Sequence, residues 1–277
     1  MIPLFVVFLR EGVEASMIVA IVLAYLDHAG QRQHFRDVYV GVSAALGLAA
    51  AFGVVGYVAL TRYSGSRVQT YFETATYLVA IVAITTMTLW MQRHARSLRS
   101  ELARRSESAL NSRQRFALSA VAFQAVGREG VETTVFTLAI LFSNARQGAV
   151  PSTRGALLGA ALGLGVSLAV ALMIYRWGRR INIGRFFRWL GVVLLVVGAG
   201  LVADTVENLQ QLGWLPGGSV VWNSSGLINE SSNVGDVLHS LVGYADQPTV
   251  SQLLVWMVYL GAVLVGFRVV SRPRPTH

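Results

Sequence analysis

Two short stretches place the same charged residues inside otherwise apolar sequence. Residues 9–16 read LREGVEAS and residues 127–134 read GREGVETT. In each copy an arginine is followed directly by a glutamate, and a second glutamate comes three residues later. An α-helix turns about 100° per residue, so the two glutamates of one copy lie about 60° apart on one helix face. The spacing predicts two pairs of convergent carboxylates, each beside an arginine.

These residue types in this pattern are suited to holding a cation or protons. The predicted metal ligands are Glu11, Glu14, Glu129 and Glu132. Carboxylate oxygens are ligands for hard or borderline cations, including iron, manganese, magnesium and calcium. Arg10 and Arg128 cannot ligate a metal, because a guanidinium stays protonated and has no acceptor lone pair. We therefore assign both arginines to orienting the glutamates and balancing their charge, which leaves a formal charge of −2 on the two motifs.

Two other uses of the motifs stay open at this stage. Each charge at the centre of a membrane helix costs about 2.5–3.5 kcal/mol, so the motifs need a compensating role. They can form intramembrane salt bridges that lock two halves of a protein together, or they can relay protons. A lock needs complementary charges but not two carboxylates for each arginine, so the duplication favours an ion site.

Three residues outside the motifs are further candidates. Glu73, in TYFETATYLV, is an entrance ligand, a surface residue or a partner for Arg67. Asp236 and His239, in GDVLHSLVGY, are weaker candidates for an external relay point, since a lone loop histidine is usually solvated.

The composition indicates the class of protein that must position these residues. The chain has 277 residues, of which 54% are hydrophobic and 13% charged, and residues 38–61 and 157–175 contain no charge. Such windows are long enough to cross a bilayer. All 23 basic residues are arginines, and apart from Arg10 and Arg128 they cluster between the apolar spans, which indicates membrane topology and argues against a nucleic-acid-binding role. The absence of cysteine excludes disulfides, thiolate metal sites and cysteine nucleophiles.

The hydropathy pattern predicts an all-α integral membrane protein with seven transmembrane helices. They are expected at residues 2–26, 38–60, 71–91, 116–142, 155–175, 186–203 and 253–270. With the N-terminus outside, 17 arginines lie in the cytoplasm and 4 outside, so the positive-inside rule places the C-terminus in the cytoplasm.

The two motifs are 118 residues apart, in the first and fourth helices, and so run in opposite directions. This predicts two inverted three-helix repeats plus a seventh helix, with a substrate site where the repeats meet near the bilayer midplane. The predicted regions are a first repeat at 1–92, an arginine-rich cytoplasmic loop at 93–115, a second repeat at 116–203, a polar external loop at 204–250, and the seventh helix with a cytoplasmic tail at 251–277.

At these motifs the chain resembles the high-affinity iron permease family, which includes the fungal oxidase-dependent permeases and the bacterial EfeU-type transporters. The family's repeated Arg-Glu-Gly-Leu-Glu motif corresponds to residues 10–14 and 128–132, with valine in place of leucine in both copies. The resemblance extends to Glu73, to the arginine-rich third loop and to GYADQPTVSQLLVWMVYL at 243–260. It implies iron uptake across the cytoplasmic (inner) membrane, with iron as substrate, the motif glutamates as ligands and no permanently bound cofactor.

The resemblance also implies partners. Bacterial relatives act beside a periplasmic haem peroxidase and a cupredoxin-like protein, and fungal relatives receive iron from an oxidase. Two alternatives to an iron permease stay open. One is a transporter of another divalent cation, such as lead or manganese, or a proton-coupled transporter. The other is an intramembrane enzyme, which the sequence disfavours because it lacks an evident membrane Ser-His pair or metal-binding histidine motif.

Overall fold

The computed structural model describes residues 2–62, 66–94, 117–146, 153–177, 183–230 and 232–271. The predicted arginine-rich loop at 93–115 lies outside the described residues except for its first two positions, which belong to a helix. The arginines of that loop predict a cytoplasmic location and contact with anionic membrane lipid, and both stay predictions.

The described residues form seven helices of 22 residues or more and one short helix. The helices are α1 Ile2–His28, α2 Phe35–Arg62, α3 Arg67–His94, α4 Ala117–Arg146, α5 Thr153–Trp177, α6 Ile183–Gln211, α7 Asn233–Val242 and α8 Val250–Ser271. A 3-10 turn at Arg32–His34 precedes α2. Among the described residues there is no strand, only an isolated bridge between Val220 and Thr249.

Local sequence explains how α1, the first motif helix, begins and ends. Its only proline, Pro3, lies in the first turn, where the missing amide hydrogen removes no helical hydrogen bond. The helix ends at His28, and Gly30 follows with a φ of 69°, a conformation that glycine adopts without steric cost. The amide of Gln31 donates to the carbonyl of Leu26 at 2.8 Å, so the last turn has a hydrogen-bonding partner.

Five of the described helices contain segments long and apolar enough to cross a membrane. The segments are Arg32–Val58, Arg67–Met91, Gly155–Met173, Phe186–Gln211 and Val250–Val269. The remaining long helices, α1 and α4, have 27 and 30 residues and carry the two charged motifs. This agrees with the predicted class of all-helical integral membrane protein, while the count of seven crossings stays a prediction.

The helices pack in a regular scheme around the two motif helices. α1 packs against α5, α2 packs against α4, and α3 packs against α6, while α1 and α4 also contact each other. α8 packs on α6 and α3. The largest apolar core contains buried side chains of α1, α3, α4, α6 and α8, so both motif helices are held against the same core.

The segment after the sixth predicted helix differs from the expectation. We expected a helix at 186–203 and a polar loop at 204–250, but α6 continues to Gln211 and α7 lies within the loop. Asp204 and Glu207 are therefore helical residues. The drop in hydropathy does not end the helix because Asp204 is buried, 5% exposed, and has hydrogen-bonding partners inside the protein.

Candidate metal site

The first motif copy is buried almost completely by the packing of α1. Arg10, Glu11 and Glu14 are 1%, 2% and 5% exposed. Arg10 Nη1 donates to Glu11 Oε1 at 2.9 Å, and Arg10 Nε lies 3.4 Å from Glu14 Oε1. One guanidinium thus contacts two carboxylates, while the charge-balancing role of Arg10 stays a prediction.

The second copy, on α4, is arranged differently. Glu129 is buried, but the side chain of Arg128 is 48% exposed. Arg128 Nε donates to Glu132 Oε1 at 2.9 Å, and its guanidinium carbon lies 5.4 Å from the centre of the Trp90 ring. A cation over an aromatic face gains attraction from the ring quadrupole. Arg128 therefore pairs with one glutamate at the edge of the site, whereas Arg10 pairs with two inside it.

Three of the four predicted glutamates meet between α1 and α4. Glu11, Glu14 and Glu129 each offer a carboxylate oxygen, and these oxygens lie within 4.8 Å of one another. Three buried oxygens have no hydrogen-bonding partner among the described residues: Glu11 Oε2, Glu129 Oε2 and Glu132 Oε2. Glu14 Oε1 also makes no hydrogen bond there, but it has its ion pair with Arg10. Buried acceptors without donors are unfavourable, and a multivalent cation would satisfy them. Glu132 is not part of this group of three, because its other oxygen is bonded to Arg128.

Small residues allow the motif helices to approach their neighbours closely. A Cβ atom added to Gly12 would lie 2.8 Å from Ser167 Cβ on α5, and one added to Gly130 would lie 2.9 Å from Ala49 Cβ on α2. Both distances are shorter than real Cβ contacts. The absence of a side chain at Gly12 and Gly130 thus permits close packing of α1 on α5 and of α4 on α2.

Glu73 lies apart from the group of three, near the start of α3. It is buried, 4% exposed, and accepts a hydrogen bond from Gln69 Nε2 at 2.6 Å. Of the three uses considered for this residue, that of an exposed surface side chain is wrong, because packing of the first turns of α3 removes it from solvent.

His239 belongs to a buried polar network that the sequence did not predict. His239 Nε2 lies 3.1 Å from Ser143 Oγ on α4 and 3.3 Å from Asp204 Oδ1 on α6. His239 Nδ1 lies 2.9 Å from Glu230 Oε1, and Ser143 Oγ donates to Asp204 Oδ2 at 2.7 Å. The expectation of a solvated loop histidine is wrong: the residue lies on α7 and is 7% exposed. The side chain of Asp236, the other weak candidate, lies outside the described part of the chain.

The electrostatics of this network show what His239 can do. Burial opposes its charged form, but Asp204 and Glu230 outweigh burial and hold the pKa of His239 well above its usual value of 6.5. The imidazole is thus protonated at neutral pH and donates from both ring nitrogens. A protonated imidazole cannot accept the proton of Ser143, so the Ser143–His239 contact has a structural role. Together with Asp204 and Glu230, these two residues form a clasp that connects α4, α6 and α7.

Comparisons with known proteins agree with the motifs. The model of the iron permease FTR1 family matches residues 1–271. The ferrous iron permease EfeU of Shigella sonnei is 30% identical over 278 residues, covering 98% of this chain and 97% of the relative. The protein of the same name from Yersinia pestis is 32% identical over 269 residues, covering 95% and 92%. The comparison with solved structures found no match. The chain therefore belongs to the iron permease FTR1 family.

Proposed function

We propose that this protein imports iron ions across the cytoplasmic membrane and that Glu11, Glu14 and Glu129 hold the ion on its way. The observation that carries the proposal is the meeting of three buried carboxylates from two opposed motif copies within 4.8 Å. The relatives are named ferrous iron permeases, which favours Fe²⁺ over Fe³⁺ as the cargo. Carboxylate oxygens accept ions of this class without help from imidazole or thiolate.

Glu132 and Glu73 complete the proposed ligand set. Glu132 Oε2 is buried without a partner in the described residues, while Oε1 is held by Arg128 at the edge of the site. Release of this ion pair lets Glu132 approach the other carboxylates. Glu73, buried at the start of α3, serves as an entrance ligand in this scheme.

The inverted repeat is part of the proposal, and the packing supports it. In such a repeat α1, α2 and α3 correspond to α4, α5 and α6. The contact between α1 and α5 then corresponds to that between α4 and α2, while the α3–α6 and α1–α4 contacts each correspond to themselves. All four contacts are present. The close contacts follow the same correspondence. Gly12 approaches Ser167, and Gly130 approaches Ala49; adding 118 to Gly12 gives Gly130, and adding 118 to Ala49 gives Ser167. Alternating access then follows from movement of one repeat against the other.

We further propose that all seven long helices cross the inner membrane, with the N-terminus outside. α1 and α4 are each about 40 Å or more long at 1.5 Å per residue, which is sufficient to span the hydrocarbon core. Most of their motif charges are buried inside the protein and away from lipid. Any change in the oxidation state of iron is left to a separate partner, such as an oxidase, or a periplasmic peroxidase with a cupredoxin-like protein.

The test is iron flux into proteoliposomes at controlled pH, with Fe²⁺ and Fe³⁺ compared directly. We expect Glu14→Ala and Glu132→Ala to abolish uptake while the protein still inserts, and Asp37→Asn, which removes a partly exposed carboxylate on α2, to leave uptake unchanged. Normal iron uptake by either glutamate variant would overturn the proposal. Inhibition of iron uptake by lead or manganese would identify a transporter of other divalent cations. Proton movement without iron would identify a proton-coupled transporter.

A further inference from the structure

A large cavity lies alongside the glutamate cluster. Its volume is about 1210 Å³, and residues of α1, α2, α4 and α5 line it. Glu11 and Glu129 are among the lining residues, at the level where the two motif helices meet. At one end the cavity reaches Asp27 and Arg32, which form an ion pair at the turn between α1 and α2.

The cavity lies where the two repeats face each other. Adding 118 to many lining residues of α1 and α2 gives a residue of α4 or α5 that also lines the cavity. The pairs include Glu11 and Glu129, Gly12 and Gly130, Ala15 and Thr133, Ser16 and Thr134, Leu46 and Leu164, and Val54 and Leu172. A cavity on the symmetry axis of an inverted repeat is in the position expected for a substrate pathway.

The carboxylates restrict what can fill this space. Glu11 Oε2 and Glu129 Oε2 are buried and have no hydrogen-bonding partner among the described residues. Hydrocarbon against such groups is unfavourable by several kcal/mol, and ionisable residues in membranes face the protein interior or a water-filled cavity. Hydroxyl groups of Ser16, Thr133 and Thr134 add polar lining close to the same level. Most of the remaining lining is apolar, so these polar groups are the feature that favours water over lipid chains in the cavity.

Side chains of α3 and α4 pack together on the other side of the glutamate cluster. On α4, beyond the motif, the ring of Phe142 is fully buried and packs against Phe72 of α3 at 5.7 Å between ring centres. The next residue, Ser143, is held by Asp204 and His239. The glutamate cluster thus lies next to the large cavity on the α1–α2 side, whereas on the α7 side Phe142 and Ser143 lie between it and a smaller cavity of about 430 Å³ lined by Asp204 and His239.

We propose, on the basis of the transport function proposed above, that this cavity is the water-filled vestibule through which the cation passes between the glutamate cluster and the membrane face carrying the α1–α2 turn. The arginine distribution identifies that face as cytoplasmic. The vestibule is therefore the release route, and the state described is open toward the cytoplasm.

The chain contains no cysteine, so single cysteines can be introduced and labelled without background. Ala50 and Ala51 are adjacent exposed residues of α2, but only Ala50 lines the cavity. Because the thiolate is the reactive form and needs water, we expect a charged, membrane-impermeant methanethiosulfonate reagent to modify Ala50→Cys at least about tenfold faster than Ala51→Cys. The reaction should proceed from the cytoplasmic face, and modification of Ala50→Cys should block Fe²⁺ flux.

The alternatives give different results, and each would overturn the vestibule. Lipid chains in the cavity would leave both cysteines unmodified. A second copy of the chain covering the cavity would protect Ala50→Cys from the reagent and allow oxidative cross-linking between the two copies. Equal labelling of both positions would mean that the cavity has no special access to water. Fe²⁺ flux of the unmodified variants is measured in the same vesicles, so loss of the transport function is recognised separately from loss of the vestibule.

Discussion

A carboxylate oxygen of Glu11 lies within 4.8 Å of one of Glu129, although the two residues come from different motif copies. With Glu14 they place three acidic groups around one buried guanidinium, that of Arg10. Like charges repel strongly where the dielectric constant is low. The arrangement is therefore locally unfavourable without a cation, as expected at a functional site where stability is given up for binding.

The first prediction concerns this repulsion. We expect Glu129→Gln to raise the free energy of unfolding of the metal-free protein by about 1 kcal/mol, because it replaces a buried carboxyl group that faces two other carboxyl groups with a neutral amide of similar volume. The same variant should lose the stabilisation that Fe²⁺ gives to the wild type, which is about 2.7 kcal/mol at a concentration 100 times the dissociation constant. Thermal unfolding in detergent, with and without Fe²⁺, measures both effects. Full metal stabilisation of the variant would contradict a ligand role for Glu129.

The two arginines provide a matched pair for the second prediction. Arg10→Gln leaves Glu11 and Glu14 buried without their cation, so we expect a loss of about 3–5 kcal/mol in unfolding free energy. Arg128 is half-exposed, and Arg128→Gln should cost only about 1 kcal/mol from its ion pair and its contact with Trp90. Unfolding in detergent compares the two variants. Equal losses would mean that the difference in burial between the two motif copies has no energetic consequence.

The spacing of the motifs made part of the site predictable. A separation of three residues puts Glu11 and Glu14 on one helix face, and the repeat supplies Glu129 from an opposed helix, so their meeting could be anticipated, while their role as metal ligands stays a prediction. The i,i+4 pairing of Glu132 with Arg128 could be anticipated, but its half-exposed position at the edge of the site could not. It depends on how α3 brings Trp90 beside α4, and the two equivalent motifs carry no information about that difference.

The network on the α7 side was not predictable for a related reason. Ser143 is 61 residues from Asp204 and 96 residues from His239 in the sequence, and no motif connects them. Their contact depends on α6 continuing past residue 203 and on α7 packing over its end. A fall in hydropathy marks where a helix becomes polar, but it cannot show that the polar turn is covered by another segment.

The third prediction tests the close approach of α1 and α5. Gly12→Ala would place a Cβ atom 2.8 Å from Ser167 Cβ, and we expect a loss of about 1–3 kcal/mol together with reduced iron flux, since α1 must move. Ser167→Gly in the same protein should restore much of both. Gly165→Ala is the control, because Gly165 lies on α5 with nothing within 4 Å of an added Cβ, and it should be neutral. A neutral Gly12→Ala would show that the helices are not held at this distance.

The last prediction concerns the pH dependence of the clasp formed by Ser143, Asp204, Glu230 and His239. The pKa of His239 is raised in the folded protein, so the contribution of the charged imidazole to stability is fully present below its unfolded value of 6.5 and is lost as pH rises through the folded-state pKa. Glu207 and Asp246 line the cavity beside the clasp and add negative charge that favours the same form.

We therefore expect the wild type to unfold at progressively lower temperature as pH is raised from neutral into the alkaline range. His239→Gln should be less stable at neutral pH by about 2–4 kcal/mol, because Asp204 loses its cation in a buried position, and it should lack this alkaline decline. Ser143→Ala keeps the imidazole between its two carboxylates and should retain the pH dependence with a smaller loss of stability. Parallel pH profiles for the wild type and His239→Gln, measured by thermal unfolding in detergent, would show that His239 does not carry the charge that holds α4 to α6 and α7.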